Sequence, residues 1–195
     1  MNVEQSLARA RIYDVLASLY LNQPYAELVA AFDAVAGTLA QSAGLTDVAL
    51  PIAEDVAALQ ADYNALFFVP VSGRYLPPYE SAQRARRLWG PITHQVANFY
   101  ASVGFDLARL RMDEHWQRLD APDHAGIELA CLSALLRAYA ETSSPDLAGA
   151  IDFFAREHIR RWLPPYGDAV AQNAETPLYR LLGRLTRAFV LDDDA

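Results

Sequence analysis

The chain has 195 residues, of which 53% are hydrophobic, and its formal net charge is −8. This size and composition predict a single domain spanning 1–195 with a substantial apolar core, and they exclude a disordered chain. Because all 16 basic residues are arginine, a phosphate-loop lysine and a Schiff-base lysine are excluded, and the acidic balance argues against nucleic acid as a partner.

Apolar residues recur at helical spacing along almost the whole chain, whereas the alternation typical of strands does not persist. The clearest apolar faces contain Ile12, Leu16, Leu19 and Tyr20; Val56, Leu59, Tyr63, Leu66 and Phe67; Ile92, Val96, Phe99 and Val103; Ile151, Phe154, His158 and Trp162; and Leu178, Leu181, Leu182, Leu185 and Phe189. We therefore predict an all-α fold, a single-domain bundle of several helices.

Prolines, glycines and capping residues predict where these helices begin and end. The segment 70–78 is rich in proline and glycine and is predicted to be a loop, and Gly90-Pro91 separates two helices. Ser144-Pro145 and Thr176-Pro177 each place a capping hydroxyl before a proline at the first helical position. At the end of the chain, 192–195 are expected to form a solvated tail.

Two further helix starts are predicted from acidic and hydroxyl side chains. Asp123 is predicted to cap a helix over 124–139, which is apolar nearly all round and is therefore expected at the centre of the bundle. Glu80 and Ser81 are predicted to cap an arginine-rich helix over 83–88.

Both of these starts follow rigid prolines, in Pro77-Pro78-Tyr79-Glu80-Ser81 and in Pro122-Asp123-His124. Helix starts have unpaired backbone N–H groups, and prolines fix the direction of the chain. Segments of this kind are therefore suited to binding a ligand. The sequence favours a binding protein over an enzyme.

The chain offers no recognisable set of catalytic or metal-binding residues. No glutamate is followed three residues later by a histidine, and neither His-Glu-x-x-His nor Gly-x-Ser-x-Gly occurs. His124 and Glu128 share a helix face, but a pair at this spacing is typical of an intrahelical hydrogen bond. Asp123 and His124 could form an acid–base pair, yet a capping aspartate beside a neutral histidine is the better interpretation. We predict no catalytic residue, no metal site and no cofactor.

The single cysteine and the three tryptophans receive separate predictions. Cys131 lies in an apolar segment and is predicted to be a buried thiol. Trp162 continues the apolar face of Phe154 and is predicted to lie in the core. Trp89, at a predicted helix end, could line a groove, and Trp116, within a charged stretch, is expected to be partly exposed.

The sequence has no evident membrane or export signal. It contains no run of the roughly 18 apolar residues that a spanning helix needs, and its start lacks a basic segment followed by an apolar one. We therefore expect a cytoplasmic protein without stable membrane insertion.

A series of short motifs follows in one order from about residue 60 to residue 190. They are Asp62-Tyr63-x-x-Leu66-Phe67, Pro77-Pro78-Tyr79-Glu80-Ser81, Leu88-Trp89-Gly90, Phe99-Tyr100-x-x-x-Gly104, Pro122-Asp123-His124 with Glu128-Leu129, His158-x-x-x-Trp162, and Pro177-Leu178-Tyr179 with Leu182. In this order and spacing the motifs resemble the TorD/DmsD family of redox-enzyme maturation chaperones, relatives of the NarJ-type nitrate reductase chaperones.

The resemblance implies an all-helical protein that is not an enzyme. Members of the family hold cytoplasmic precursors of molybdopterin-containing enzymes until the cofactor is inserted, and they bind the twin-arginine signal peptide, which delays export. The expected partners are therefore such a signal peptide and the precursor of a molybdoenzyme of the dimethyl-sulfoxide-reductase type. Two arginines followed by an apolar stretch need carboxylates beside an apolar groove. The residues expected to bind the peptide or client are Tyr79, Glu80, Ser81, Trp89, Pro122, Asp123, His124 and Glu128.

Two other classes of function stay open at this point. One is a nucleotide-binding or hydrolytic helical enzyme that uses Asp123, His124 and Glu128, and turnover lost in His124→Ala would favour it. The other is a helical adaptor, which would bind a folded partner and ignore signal peptides.

The state of assembly is predicted from the loops. The segments 70–78 and 104–122 are long enough to permit exchange of helices between protomers. We expect mainly a monomer, with a minor helix-swapped dimer.

Overall fold

A computed structural model describes residues 2–48, 50–51 and 55–191. Within these ranges the regular structure is helical, and the β-structure consists of one isolated bridge between Tyr79 and His124. The predicted all-α fold is therefore confirmed. The predicted tail, 192–195, lies outside the described residues.

The helices follow one another along the chain with short connections. In order they are α1 (Val3–Leu21), α2 (Ala26–Ser42), α3 (Val56–Tyr63), α4 (Glu80–Ala85), α5 (Pro91–Val103), α6 (Glu114–Leu119), α7 (Ala125–Thr142), α8 (Pro145–Phe154), α9 (Arg160–Asn173) and α10 (Pro177–Leu191). Two π-helical turns, Asn64–Phe68 and Ala155–Ile159, continue α3 and join α8 to α9, and 3-10 turns occur at Pro70–Ser72 and Leu107–Arg109. Among the described helices, none is both long and apolar enough to cross a membrane.

Several predicted boundaries agree with these helices. Pro91 and Pro145 occupy the first positions of α5 and α8, after Gly90 and Ser144. The predicted boundaries of the helix over 83–88 are wrong. It begins at Glu80 and ends at Ala85, because Arg86 adopts the left-handed conformation with φ of 51°.

The chain forms two compact units, each built from two separate stretches of sequence. The first unit takes in the residues up to Leu21 together with Tyr79–Trp162. The second takes in Asn22–Pro78 and the residues from Leu163 onward. The single domain over 1–195 stays a prediction.

In the first unit, α1 packs along α7, which is the helix predicted to be central. All residues from Ala125 to Leu129 are buried, as the nearly all-apolar sequence predicted. Gly126 permits the close approach of the two helices, since a Cβ at this position would lie 2.5 Å from Cγ of Leu21. Farther along α7, the hydroxyl of Ser133 donates a hydrogen bond of 2.9 Å to the carbonyl oxygen of Ala10.

In the second unit, an aromatic cluster joins α3 and its π-helical turn to α10. The ring centroids of Tyr63 and Phe67 lie 5.3 Å apart, and Tyr179 lies 6.0 and 5.6 Å from them. Helices α9 and α10 cross at two glycines, because a Cβ on Gly183 would lie 2.4 Å from the carbonyl oxygen of Gly167. The sequence predicted these apolar faces, but not which faces meet.

The start of α10 is capped differently from the prediction. The Thr176 hydroxyl does not cap its own helix but donates a hydrogen bond of 2.8 Å to Oδ2 of Asp62. The same oxygen accepts from the backbone N–H groups of Glu175 and Thr176, at 3.0 and 2.8 Å. A carboxylate from α3 therefore satisfies the N–H groups before α10.

Candidate binding site

The two proline-led segments singled out in the sequence lie side by side in the first unit. The bridge between Tyr79 and His124 is antiparallel, and the N–H of Glu80 donates a hydrogen bond of 2.9 Å to the carbonyl oxygen of Asp123. The hydroxyl of Tyr100 fixes the second segment by donating a hydrogen bond of 3.0 Å to the carbonyl oxygen of Pro122. The start of α4 and the start of α7 therefore form one junction.

Asp123 caps a helix, but not the helix that follows it. Its Oδ2 accepts a hydrogen bond of 2.8 Å from the N–H of Ser81, in the first turn of α4. The N-cap of α7 is His124, whose Nδ1 accepts a hydrogen bond of 3.1 Å from the N–H of Gly126. The predicted cap of α7 by Asp123 is therefore wrong. The bridge turns the Asp123 side chain toward α4, where a negative charge also suits the positive end of the helix.

His124 is a neutral, buried histidine. Burial, together with the nearby His115, lowers its pKa to about 3. Since Nδ1 accepts a hydrogen bond, the proton of the neutral ring is assigned to Nε2. The ring centroid lies 4.6 Å from that of Trp116 and 5.6 Å from that of Tyr79. His124 therefore acts as a capping group and as a packed ring.

Trp116 belongs to this aromatic cluster and is only 4% exposed. The prediction that it is partly exposed is wrong. The neighbouring charged residues Glu114 and Arg118 of α6 are exposed, and the indole packs edge-on against Tyr79 with the centroids 6.3 Å apart. A single aromatic side chain in a charged stretch can thus be the buried residue of a short helix.

Glu80, the first residue of α4, is fully buried and contacts the side chains of Arg84 and His158. One carboxylate oxygen contacts the guanidinium of Arg84, one helical turn later. The other lies 2.8 Å from Nδ1 of His158. His158 belongs to the π-helical turn Ala155–Ile159, a feature that often marks functional positions in helices.

Glu128, in the first turn of α7, is also fully buried. Its Oε2 accepts a hydrogen bond of 2.9 Å from Nε1 of Trp162, whose predicted place in the core is confirmed. Burial raises the pKa of Glu128 well above its ordinary value, and the nearby carboxylate of Glu80 adds to the rise. The raised pKa favours the neutral, protonated form of Glu128, and the side chain does not pair with His124, whose Nδ1 accepts from Gly126.

The remaining predicted site residues divide into buried and exposed positions. Ser81 and Pro122 are buried in the junction, with Ser81 1% exposed. Trp89 lies outside it, 55% exposed, in the turn after α4 with φ of 52°. The structure therefore brings together all of the predicted residues except Trp89. Cys131 is buried, as predicted, and burial raises the pKa of its thiol.

A cavity of about 660 Å³ lies beside this junction, within the first unit. Its lining includes Arg84, Phe99, Phe153, Glu157, His158 and Arg161. The rings of Phe99 and Phe153 stack with their centroids 5.9 Å apart, and Phe153 is 44% exposed. The cavity thus joins an apolar wall to the exposed edge of the Glu80–Arg84 pair.

Sequence reasoning missed Arg84, Glu157 and the contact between Glu80 and His158. The spacing of four residues between Glu80 and Arg84 is a readable signal of an ion pair on one helix face. The approach of His158 depends on the π-helical turn, for which the sequence carries no comparable pattern. Among the residues that the structure describes, no group of three or more His, Cys, Asp or Glu side chains is placed to hold a metal ion.

Comparison with known proteins identifies the family. Residues 21–166 match the family model described as nitrate reductase delta subunit. The chain belongs to this family. No curated protein matches the chain.

The fold of this delta-subunit family member also matches a solved structure. The crystal structure is of a proposed redox enzyme maturation protein from Archaeoglobus fulgidus, and 22% of the aligned residues are identical. The match covers 96% of this chain and 94% of that chain, with a TM-score of 0.55. The likeness shows a shared fold, and the family resemblance drawn from the sequence motifs is confirmed. The junction residues 79–81 and 122–128 lie within the range that the family model matches.

Proposed function

We propose that this protein is a cytoplasmic maturation chaperone for a molybdopterin-containing oxidoreductase of the dimethyl-sulfoxide-reductase type. It binds the twin-arginine signal peptide of the precursor, the apo-precursor, or both, assists cofactor insertion and delays export. It does so by binding alone, without a catalytic step. Membership in the delta-subunit family supports the general role in the maturation of a redox enzyme.

The observation that best supports arginine recognition is the environment of Glu80. Its buried carboxylate already has a guanidinium as a partner, and this pair borders a cavity with an apolar wall. A twin-arginine peptide combines guanidinium groups with a following apolar stretch. Charge-assisted contacts to Glu80 and apolar contacts to Phe99 and Phe153 would therefore serve both parts of such a peptide.

The other junction residues are proposed to hold this surface in position. Asp123 is 1% exposed and its carboxylate caps α4, so it fixes the backbone that carries Glu80. Tyr79, Ser81, Pro122 and His124 are buried beside it, and Glu128 fixes Trp162. The exposed Trp89 can contact the client directly from the turn after α4.

The hydrolytic alternative through Asp123, His124 and Glu128 receives no support from the geometry. Each of these groups is buried and has a structural contact: the Asp123 cap, the His124 cap and the hydrogen bond from Trp162. With its pKa lowered to about 3, His124 is a poor base near pH 7.

The proposal is tested by titrating the full chain with twin-arginine peptides encoded beside its gene, and with the corresponding precursors, by calorimetry. At least one peptide or precursor should bind with saturation at one site. The absence of binding to every peptide and every precursor contradicts the proposal. Binding of folded, mature enzyme alone would favour the adaptor.

We also propose that the protein is mainly monomeric, with a minor helix-swapped dimer. The connection from Gly104 to Pro122 contains a 3-10 turn and α6, so it has structure of its own. Sizing chromatography over a dilution series should give a dominant monomer. One stable tetramer, or a dimer that persists on dilution, contradicts this assignment.

A further inference from the structure

The ion pair between Glu80 and Arg84 differs from the other pair of the same spacing on a short helix. Arg118 and Glu114 in α6 have side chains that are 73% and 75% exposed. Glu80 is 0% exposed and Arg84 is 25% exposed. A surface pair of this kind contributes little, whereas a buried carboxylate needs a cationic partner to remain charged. Arg84 is therefore a partner that Glu80 requires.

The guanidinium of Arg84 lies between two acceptors that are themselves fixed. Its Nη1 contacts the Glu80 carboxylate. The same nitrogen donates a hydrogen bond of 3.1 Å to the carbonyl oxygen of Glu157, in the π-helical turn. Glu80 is held by the N–H bond to Asp123 and by His158. Since both acceptors are positioned by the fold, together they form a preformed receptor for one guanidinium group.

The receptor borders space that a second arginine can enter. Arg84 lines the cavity of about 660 Å³, together with the polar side chains of Gln95, Asn98 and Ser102. The charged groups facing the cavity include Arg84, Arg161 and Glu157, and Arg161 is held by Glu157 at 2.5 Å. The cavity leaves room for the Arg84 side chain to turn outward, which would open its place between Glu80 and the carbonyl oxygen of Glu157 to another guanidinium.

We propose that Arg84 is a resident substitute for an arginine of the bound peptide. In the free protein it occupies the receptor, and an arginine side chain of the client displaces it on binding, an inference that rests on the proposed function. Such an exchange never leaves the buried carboxylate without a cation, which would be strongly unfavourable. It also favours arginine over lysine, because a guanidinium is more weakly hydrated than an ammonium and therefore loses less hydration beside a buried carboxylate.

The exchange predicts that Arg84 weakens peptide binding in the wild-type chain. A side chain tethered four residues away competes at a high effective concentration. In Arg84→Gln, a peptide with two adjacent arginines and an apolar segment should therefore bind about tenfold or more tightly than to the wild type. The control variant Arg118→Gln removes the matching pair of α6 and should bind as the wild type does. Adding Glu80→Gln to Arg84→Gln should abolish the gain.

A small probe separates this inference from the proposed function. Methylguanidinium at low-millimolar concentration should raise the melting temperature of Arg84→Gln, but not that of the wild type or Arg118→Gln, against equal sodium chloride. Rescue by methylguanidinium without binding of any twin-arginine peptide or precursor would retain the receptor and reject the chaperone proposal. No rescue, with peptide affinity equal to or below that of the wild type, overturns the exchange.

A measurement on the wild-type chain keeps the test independent of the variants' stability. In protein with ¹⁵N-labelled arginine, the side-chain resonance of Arg84 is assigned by its loss in Arg84→Lys. Titration with the twin-arginine peptide should shift this resonance to the position of a solvated arginine. An Arg84 resonance that stays unchanged at saturating peptide overturns the exchange, whatever the variants do.

Discussion

Two buried carboxylates, one in each unit, pair with arginine in nearly the same way, yet their surroundings differ. Asp62 is 2% exposed and contacts Arg74, which is 24% exposed, at 2.5 Å. Glu80 is 0% exposed and contacts Arg84, which is 25% exposed. By burial and partner alone, the two pairs cannot be distinguished.

Their other contacts do distinguish them. Asp62 also accepts three hydrogen bonds from Glu175 and Thr176. Arg74 donates a hydrogen bond of 3.0 Å to the carbonyl oxygen of Asn173. This pair therefore ties the start of α10 to α3, a structural role. The arginine partner of Glu80 comes from its own helix and borders a cavity. The Glu80 pair also contacts distant residues, Glu157 and His158, but Arg84 has open space beside it into which its side chain could move.

The largest effect should come from the structural pair. Asp62→Ala leaves three donors, two of them buried, and a partly buried arginine without their acceptor, so the free energy of unfolding should fall by about 3–5 kcal/mol. Peptide affinity of the folded protein should not change. The exposed pair of Asp14 and Arg137 supplies the control, because Asp14→Ala should cost less than about 1 kcal/mol. Urea denaturation measures both, and equal losses would remove the distinction drawn for Asp62.

A pH-dependent effect is expected in the Glu80 region. Because the folded-state pKa of Glu128 is raised, the folded protein retains a proton that the unfolded chain releases. Protonated Glu128 therefore contributes its whole stabilising free energy below about pH 4.5. This contribution is lost as the pH rises toward the folded-state pKa of Glu128. Glu128→Gln keeps an acceptor for Trp162 but does not ionise. Relative to the wild type, the variant should therefore become more stable as the pH rises above about 4.5.

Urea denaturation of both proteins at several pH values tests this prediction. His124 contributes the opposite slope below its ordinary pKa, but it is present in both proteins and cancels in the difference. A stability difference that does not vary with pH would mean that Glu128 is ionised in the folded protein.

The smallest effect is expected at Asp123. Asp123→Asn retains an oxygen that can accept from the N–H of Ser81, so both stability and peptide affinity should remain close to those of the wild type. Asp123→Ala removes the cap and should lower the free energy of unfolding by about 1 kcal/mol. Melting temperature and peptide affinity are measured together. Lost affinity at unchanged stability in Asp123→Asn would make Asp123 a direct contact of the peptide.

Local sequence patterns predicted the helices well because each buries an apolar face with a period of about 3.6 residues. They also singled out both segments of the junction, since prolines before polar residues mark helix starts. They could not assign the Asp123 side chain, because its partner lies 42 residues away in sequence. Trp116 was misjudged for a related reason: its charged neighbours describe the surface of α6 and not the single buried position. The contact of His158 with Glu80 depends on a π-helical turn and on tertiary packing.

The central claim is that Glu80 recognises an arginine of the client. Calorimetric titration of the wild type and of Glu80→Gln with a twin-arginine peptide and its twin-lysine counterpart tests it most directly. The wild type should bind the arginine peptide at least about tenfold more tightly than the lysine peptide. In Glu80→Gln the arginine peptide should lose about ten- to a hundredfold in affinity, and the preference should largely disappear. Equal binding of both peptides by the wild type, or an unchanged preference in Glu80→Gln, would contradict the claim.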